Sequence, residues 1–420
     1  MASLERLPRP GAQRLAVRLT SDALRQVRHG HPWVYDESIV AVNHEGGAPG
    51  DLAVVFDADR KFAAIGLWDP TSPIRIKLLH HGRPAVVDRA FWADRLRTAM
   101  NLRRPLTDDA GTTGYRVLNG ENDGTPGLVL DRYDRTLVMK LYSAAWVPHL
   151  ADLVPVIDEL FHPEALVLRL ARNLPAEHLH GLEEGDALLG TSPTEPVLFL
   201  ERGLVFEADV VHGQKTGHFL DQRDNRTIVG SRAEGARVLD VFASTGGFTV
   251  HAAAGGATSV TAIDLSAPTL AVAARNLAHN AQRPQVAACD VTTVVGDAFD
   301  EMERLLTARR RFDIVVIDPP SFAQRQHEKD RALRAYERLT ALGVRLVTRG
   351  GLFVQCSCSS RVPADEFFTA VTHAAARVGR PLDQVRRTGH PIDHPVTFPE
   401  GEYLKAVIGR VASPDRGPTA

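Results

Sequence analysis

From about Val197 onward the chain alternates short apolar runs with amphipathic stretches of helical length, and this alternation restricts the fold more than any other feature. Strand candidates fall at 237–242, 259–264, 286–289, 312–317 and 351–356, and helix candidates at 267–281, 298–308, 329–348 and 364–378. A closing strand pair follows at 384–389 and 403–410. Strands separated by helices of this length predict a doubly wound parallel sheet.

The first 200 residues have a different texture. Leu15–Leu19, Leu52–Phe56, Phe62–Leu67 and Ile74–Leu78 are short β-like runs divided by Gly, Pro and Asp turns. In Ile74-Arg75-Ile76-Lys77-Leu78 the alternation predicts a strand with one wet, basic face. Residues 85–105 return to helical spacing, and a strand-rich stretch with one helix at 149–161 follows. Gly181 to Pro196 reads as a linker or a loose hairpin. The expected class is therefore α/β: a Rossmann-like doubly wound domain over 191–412, preceded by a small β-barrel over 1–82 and a central α+β domain over 83–190, with a disordered tail at 413–420.

Composition removes several alternatives. The 49 basic and 51 acidic residues leave −2, so bulk charge does not announce a nucleic-acid binder, although a local basic patch fits inside a neutral total. Three cysteines, Cys289, Cys356 and Cys358, make no disulfide framework and have no zinc-finger spacing. No metal site is expected. No signal-length or membrane-length apolar run occurs, so a cytoplasmic chain without membrane contact is expected.

Ligands of such sheets bind at the carboxyl ends of the strands. Asp240, Phe242, Thr245, Gly246 and Gly247 form a strand, a tight turn and a helix start. Asp264, beside Leu265, ends the next strand 24 residues after Asp240 and is placed to accept hydrogen bonds from ribose hydroxyls. Asp297-Ala298 is placed to approach an adenine edge, and Asp318 ends the fourth strand. Together these point to a nucleoside-type cofactor. The turn lacks the dinucleotide pattern, which argues against a nicotinamide enzyme. Alone, each piece reads equally as a turn with solvated aspartates. His212 to Arg223 is dense in polar groups, and Lys215, Thr216 and Gln222 are candidates to cover the cofactor; the plainer reading is a capped loop entering a helix at 221–230.

Asp318-Pro319-Pro320 and Cys358 lie 40 residues apart, at the ends of two successive strands. A thiolate that adds to carbon 6 of a pyrimidine makes carbon 5 nucleophilic enough to accept a methyl group. Protonated Asp318 can donate to ring nitrogen 3, Pro319 and Pro320 fix an extended turn, and Phe322 can stack on the base. A cysteine after a buried strand is more often core packing, and Asp-Pro-Pro also suits transfer to an exocyclic amine. Cys356 lies on the same strand face as Cys358 and stays an alternative nucleophile; Cys289 reads as core.

His212 to Arg223, the Asp240–Phe248 turn, Asp318-Pro319-Pro320-Ser321-Phe322, Phe353 to Ser359 and Asp393 to Lys405 resemble the bacterial large-subunit ribosomal RNA cytosine-5 methyltransferases. The resemblance covers about 14–410, is strongest over 203–410, and includes a PUA-like opening at His31–Tyr35. It implies a PUA domain, a central domain and a Rossmann-like methyltransferase domain, S-adenosylmethionine as methyl donor, 23S rRNA as substrate and Cys358 as nucleophile. The family commonly has Asp-Pro-Pro-Lys, where this chain has Ser321, and a non-thiol residue where Cys356 stands. For RNA, Arg14, Arg18, Arg25, Arg28, Arg75 and Lys77 supply charge near Trp33, Tyr35 and Trp68, and Arg325, Lys329, Arg331 and Arg334 follow the active-site turn. A homodimer is left open. The competing functions are an amine methyltransferase of RNA and a non-catalytic RNA-binding assembly factor.

Overall fold

The computed structural model describes residues 4–43, 46–323 and 325–412, so the tail at 413–420 lies outside the described residues. The chain forms two compact units. One holds the residues up to Gly203, Glu207–Leu220 and Ile392–Gly401; the other holds Leu204–Phe206, Asp221–Pro391 and the residues from Glu402 on.

The first unit begins with a six-stranded sheet in the order Trp33–Tyr35, Ile74–His81, Phe62–Trp68, Leu52–Phe56, Leu15–Leu19, Ile39–Val42. Only the pair Leu15–Leu19 and Leu52–Phe56 is parallel. The sequence reading missed the helix Ser21–Arg28, whose cap is Thr20 Oγ1 accepting from Ala23 N at 3.4 Å, and the strands Trp33–Tyr35 and Ile39–Val42. The wet basic face is also corrected. Lys77 is buried and its Nζ lies 2.9 Å from Asp69 Oδ2, while Ser143 donates to the same oxygen at 2.6 Å. The alternation was real, but it placed a paired charge inside.

A five-stranded sheet follows, ordered Ala187–Gly190, Ala165–Leu170, Thr136–Leu141, Leu128–Tyr133, Gly114–Asn119. The stretch read as a linker therefore contains an edge strand, paired antiparallel with Ala165–Val167. Helix Arg89–Thr107 starts where Asp88 accepts from Phe91 N at 2.9 Å, and together with helix Leu150–Phe161 it buries Trp92, Leu96, Leu150 and Ile157 in one core. The segment Ile392–Gly401 completes this unit. Arg103, fully buried, pairs with Asp123 through two nitrogens at 2.8 and 2.5 Å and donates to Asp393 O at 2.9 Å. Arg116 N donates to Asp393 Oδ2 at 3.0 Å, and Phe398 packs edge-on against Trp33 at 5.1 Å.

In the second unit seven strands run across one sheet in the order Asp290–Val295, Ser259–Asp264, Arg237–Val241, Phe312–Ile317, Val347–Ser357, Lys405–Val411, Leu382–Thr388. The first five are parallel and the last two antiparallel to their neighbours. The two-residue period sorts the core. Leu239, Val241, Val315, Ile317 and Phe353 pack on one face with Tyr336, Leu339 and Phe367; Val238, Ile314, Val316, Val354 and Cys356 pack on the other with Val229, Phe248 and Ala252. One strand was misplaced: 286–289 falls in a short helix, Pro284–Ala288, and the third strand is Asp290–Val295. Pro284 takes the first helical turn, where its missing N–H costs nothing. Cys289 therefore caps that helix and is partly exposed rather than lying on the strand.

Candidate active site

The strand Arg237–Val241 runs into a turn whose residues Phe242, Ser244 and Gly246 all have positive φ, at 63°, 50° and 78°. Here only Gly246 escapes the steric cost, of order 1–3 kcal/mol for a non-glycine residue. A Cβ at Gly246 would also meet that of Ala273 at 2.7 Å. Hydrogen bonds hold the strained turn: Ser244 N donates to Asp264 Oδ2 at 2.8 Å, Gly246 N to Ala243 O at 2.8 Å, and Asn276 Nδ2 to Thr245 O at 2.9 Å. Helix Gly247–Ala254 then begins, its first N–H groups facing the end of the sheet.

Asp240 lies beneath this turn with no exposure. Thr249 Oγ1 donates to its Oδ2 at 2.7 Å, while Oδ1 is buried without a hydrogen-bond partner. Burial raises its carboxyl to about 6. A sequestered carboxyl oxygen lacking a donor suits an ammonium or N–H group, and the helix start suits a carboxylate, so the residues fit the two ends of an amino-acid moiety. Asp264 accepts from Ser244 N and, at 2.9 Å, from Ser266 N, which makes it a rigid acceptor. Beside it Leu265 is 73 % exposed, a bare apolar surface of the kind an adenine ring covers. Asp297 uses Oδ1 to cap helix Ala298–Thr307 at Phe299 N and Asp300 N, and Ala298 is buried.

Asp318 follows the strand Phe312–Ile317, and its backbone N donates to Val241 O at 3.2 Å. Gln222 Nε2 donates to Asp318 Oδ1 at 2.8 Å. Gln222 Oε1 accepts from Asn225 Nδ2 at 2.7 Å, and Asn225 Oδ1 accepts from Thr388 Oγ1 at 2.6 Å. Burial, followed by the neighbouring Asp221 carboxylate, raises Asp318 to about 7. Asp221 itself accepts from Tyr403 Oη at 2.9 Å.

The strand Val347–Ser357 ends one residue before Cys358, so this thiol leaves the sheet while Cys356 stays inside it. Burial, together with Asp318, pushes the Cys356 thiol well above its ordinary range. Burial also raises Cys289, to about 11. Cys358 is partly exposed, with Sγ 3.9 Å from Pro319 O of the Asp-Pro-Pro turn. A hydroxyl cluster joins the two loops. Ser357 Oγ donates to Tyr336 Oη at 2.8 Å, Tyr336 Oη lies 2.8 Å from Ser359 Oγ, and Ser359 Oγ accepts from Phe322 N at 3.1 Å. Ser321 Oγ, standing where the family commonly has lysine, reaches Ser359 Oγ at 3.2 Å. Phe322 tilts against Tyr336 at 5.2 Å, Pro319 is buried, Pro320 is exposed, and Arg325 is exposed with its backbone N bound to Glu328.

The structure thus brings Asp240, Phe242, Thr245, Gly246, Gly247, Asp264, Leu265, Asp297, Ala298, Asp318 and Cys358 to the carboxyl edge of one sheet. Gln222 holds Asp318. Lys215 and Thr216 belong to the first unit. There Thr216 is buried, donating to Asp131 Oδ2 at 2.6 Å and lying 3.0 Å from Tyr133 Oη, and Lys215 Nζ sits 4.3 Å above the Phe219 ring. Of the N-terminal cations named for RNA, Arg25, Arg28, Arg75 and Lys77 pair with Asp22, Asp57, Asp36 and Asp69. Arg14 and Arg18 are exposed. Sequence reading assigned no role to Tyr336, Ser359 or Lys405, although Ser359 and Lys405 lie inside the motifs that carry the resemblance.

A family model described as S-adenosylmethionine-dependent methyltransferase matches residues 125–410, and one described as a PUA-like domain matches residues 17–81. The chain is 46 % identical over 406 residues to a ribosomal RNA large subunit methyltransferase of Deinococcus radiodurans, covering 96 % of this chain and 98 % of that protein. It is 32 % identical to ribosomal RNA large subunit methyltransferase I of Pseudoalteromonas translucida, covering 94 % and 99 %. Among solved structures, a Streptococcus mutans protein assigned as a SAM-dependent methyltransferase matches with a TM-score of 0.77 at 20 % identity, over 94 % of this chain and all of that one. At that identity the likeness speaks for the fold.

Proposed function

Because the chain belongs to the S-adenosylmethionine-dependent methyltransferase family, we propose that it methylates carbon 5 of a cytosine in large-subunit ribosomal RNA through a transient bond to Cys358. The juxtaposition of Cys358 with the Asp318-Pro319-Pro320 turn carries this reading, since its sulfur lies 3.9 Å from Pro319 O and stays partly exposed, whereas Cys356, which also feels Asp318, is fully buried. The names of the relatives from Deinococcus radiodurans and Pseudoalteromonas translucida support the RNA class.

The methyl donor supplies an electrophilic sulfonium methyl group. Asp240, Phe242, Thr245, Gly246, Gly247, Asp264, Leu265, Asp297 and Ala298 would hold it, with Asp240 Oδ1 receiving its amino group. The flipped cytosine would lie along Pro319 and Pro320, stacked by Phe322, with Arg325 on the flanking phosphate.

Cys358 thiolate adds to ring carbon 6 while Asp318, in its acid form, donates to ring nitrogen 3. The electron pair displaced to carbon 5 takes the methyl group, and the sulfonium becomes a neutral thioether. A base then removes the carbon-5 proton, the carbon–sulfur bond breaks, and the thiolate returns. The sum is one methyl gained by cytosine and one proton released. With Asp318 near 7, its acid form is present at neutral pH, whereas an ordinary carboxyl near 3.9 would be almost wholly ionised.

The test is RNA carrying 5-fluorocytidine, in which the proton to be removed is replaced. A stable protein–RNA adduct that maps to Cys358 and disappears in Cys358→Ala supports the reading. Full methyl transfer by Cys358→Ala without an adduct would point instead to an exocyclic amine as acceptor. Failure of the intact protein to bind the methyl donor would favour an RNA-binding assembly factor.

A further inference from the structure

Lys405 is the first residue of the strand Lys405–Val411 and sits directly across from Ser357 in the antiparallel register, one residue before the thiol. It is 2 % exposed. Its Nζ donates to Ser359 O and Val362 O, each at 2.6 Å, which ties the loop after Cys358 to the neighbouring strand. No carboxylate pairs with it among the described residues. An ammonium carries three donors, so one remains beyond these two carbonyls. A buried lysine is costly unless a negative partner repays its desolvation. Cys358, ahead of Glu402, is the negative group whose charge supports that of Lys405 against burial.

We propose that Lys405 is the positioning residue of the nucleophile: it clamps the Ser359–Val362 loop and its charge holds Cys358 as thiolate. The proposal rests on the reading of Cys358 as nucleophile and extends it to how the sulfur is ionised. An unperturbed thiol is only a few per cent thiolate at neutral pH, so the reaction needs a nearby cation or base. Asp318, Tyr336 and Cys356 also stand near the thiol, and none of these residue types can supply a positive charge. From the strand end Phe312–Ile317 comes Asp318, from helix Lys329–Leu346 comes Tyr336, and from the same strand comes Cys356; burial favours the neutral form of all three. Glu402, preceding the last strand, also supports the lysine charge. Burial lowers Lys405 to about 8, so it is still mostly protonated at neutral pH. Attraction between two charges is mutual, so a lysine stabilised by the thiolate stabilises the thiolate equally.

The test reads the thiol directly rather than through methyl transfer. The full-length protein is pulsed with iodoacetamide across about pH 6–9, and alkylation of Cys358 is followed by peptide mass, with Cys289 as internal control. The wild-type midpoint for Cys358 is expected about one pH unit or more below the free-thiol value of ~8.5. Lys405→Met should move it up by about one unit and slow alkylation at neutral pH about tenfold, while Lys405→Arg keeps most of the wild-type profile. Calorimetric binding of the methyl donor reports whether each variant is folded. An unchanged profile in a folded Lys405→Met overturns the proposal. Should that variant not fold, the wild-type profile decides: a midpoint at or above ~8.5 overturns it. A Cys358→Ala enzyme that still methylates RNA would sink the nucleophile reading while leaving any Lys405-dependent shift in alkylation intact, so the two failures are separable.

Discussion

Gln222 Nε2 donates to Asp318 Oδ1 at 2.8 Å, and this bond joins the Arg226 charge in opposing burial at the site's acid. Replacing Gln222 with Leu removes a hydrogen bond that favours the ionised form. Asp318 should then stay protonated to higher pH, and the alkaline limb of the methylation rate should move upward. A pH–rate profile with a saturating methyl donor checks this. An unmoved limb would mean that Asp318 is not the acid that limits the rate.

Asp318 also makes stability depend on pH. Its folded value of about 7 exceeds the ordinary carboxyl value, so the unfolded chain ionises first as pH rises. The associated stability is complete below about pH 4 and is lost as pH climbs to about 7, at ~1.4 kcal/mol per pH step. Asp240, at about 6, adds a loss with the same sign over a shorter window. Thermal melts between these limits should show Asp318→Asn flatter than wild type and more stable at the alkaline end.

Tyr336 offers a test of the hydroxyl cluster. Tyr336→Phe keeps the packed ring but leaves the buried Ser357 hydroxyl without its acceptor, a cost of about 1–3 kcal/mol. The loop bearing Cys358 should loosen. A drop of about tenfold in turnover with unchanged affinity for the methyl donor is expected, measured by single-turnover transfer and calorimetry.

The strained turn can be relieved. Ser244 has φ of 50° and contributes its backbone N–H to Asp264, so Ser244→Gly keeps that bond and removes the steric cost. Stability should rise by about 1 kcal/mol in urea denaturation. Gly246→Ala should do the reverse and abolish binding of the methyl donor, because the added carbon collides with Ala273.

Much of this is legible in the sequence. The alternation of strands and helices gave the parallel sheet, because a buried strand must be apolar on both faces and a surface helix on one. The carboxyl-edge residues Asp240, Asp264 and Asp318 followed from strand ends alone. The third strand slipped because Val286–Cys289 is apolar, and Pro284, a helix opener, was not read as one. Lys77 looked solvated because its partner, Asp69, lies in a turn whose approach no local pattern records. Tyr336 was invisible for a related reason: helical spacing marks it as core, and its hydroxyl finds partners only once the strand Val347–Ser357 is laid beside it.

The buried guanidinium of Arg103 receives part of its coordination from the backbone of Asp393, nearly 300 residues downstream. The N-terminal unit therefore cannot be finished when its own contiguous stretch leaves the ribosome at Gly203. At a synthesis rate of ~5–20 residues per second, it waits about 10–40 s for the Ile392–Gly401 segment. Through that interval an arginine meant for a sealed interior lacks one of its acceptors, and a nascent chain in this state is a natural client for a chaperone.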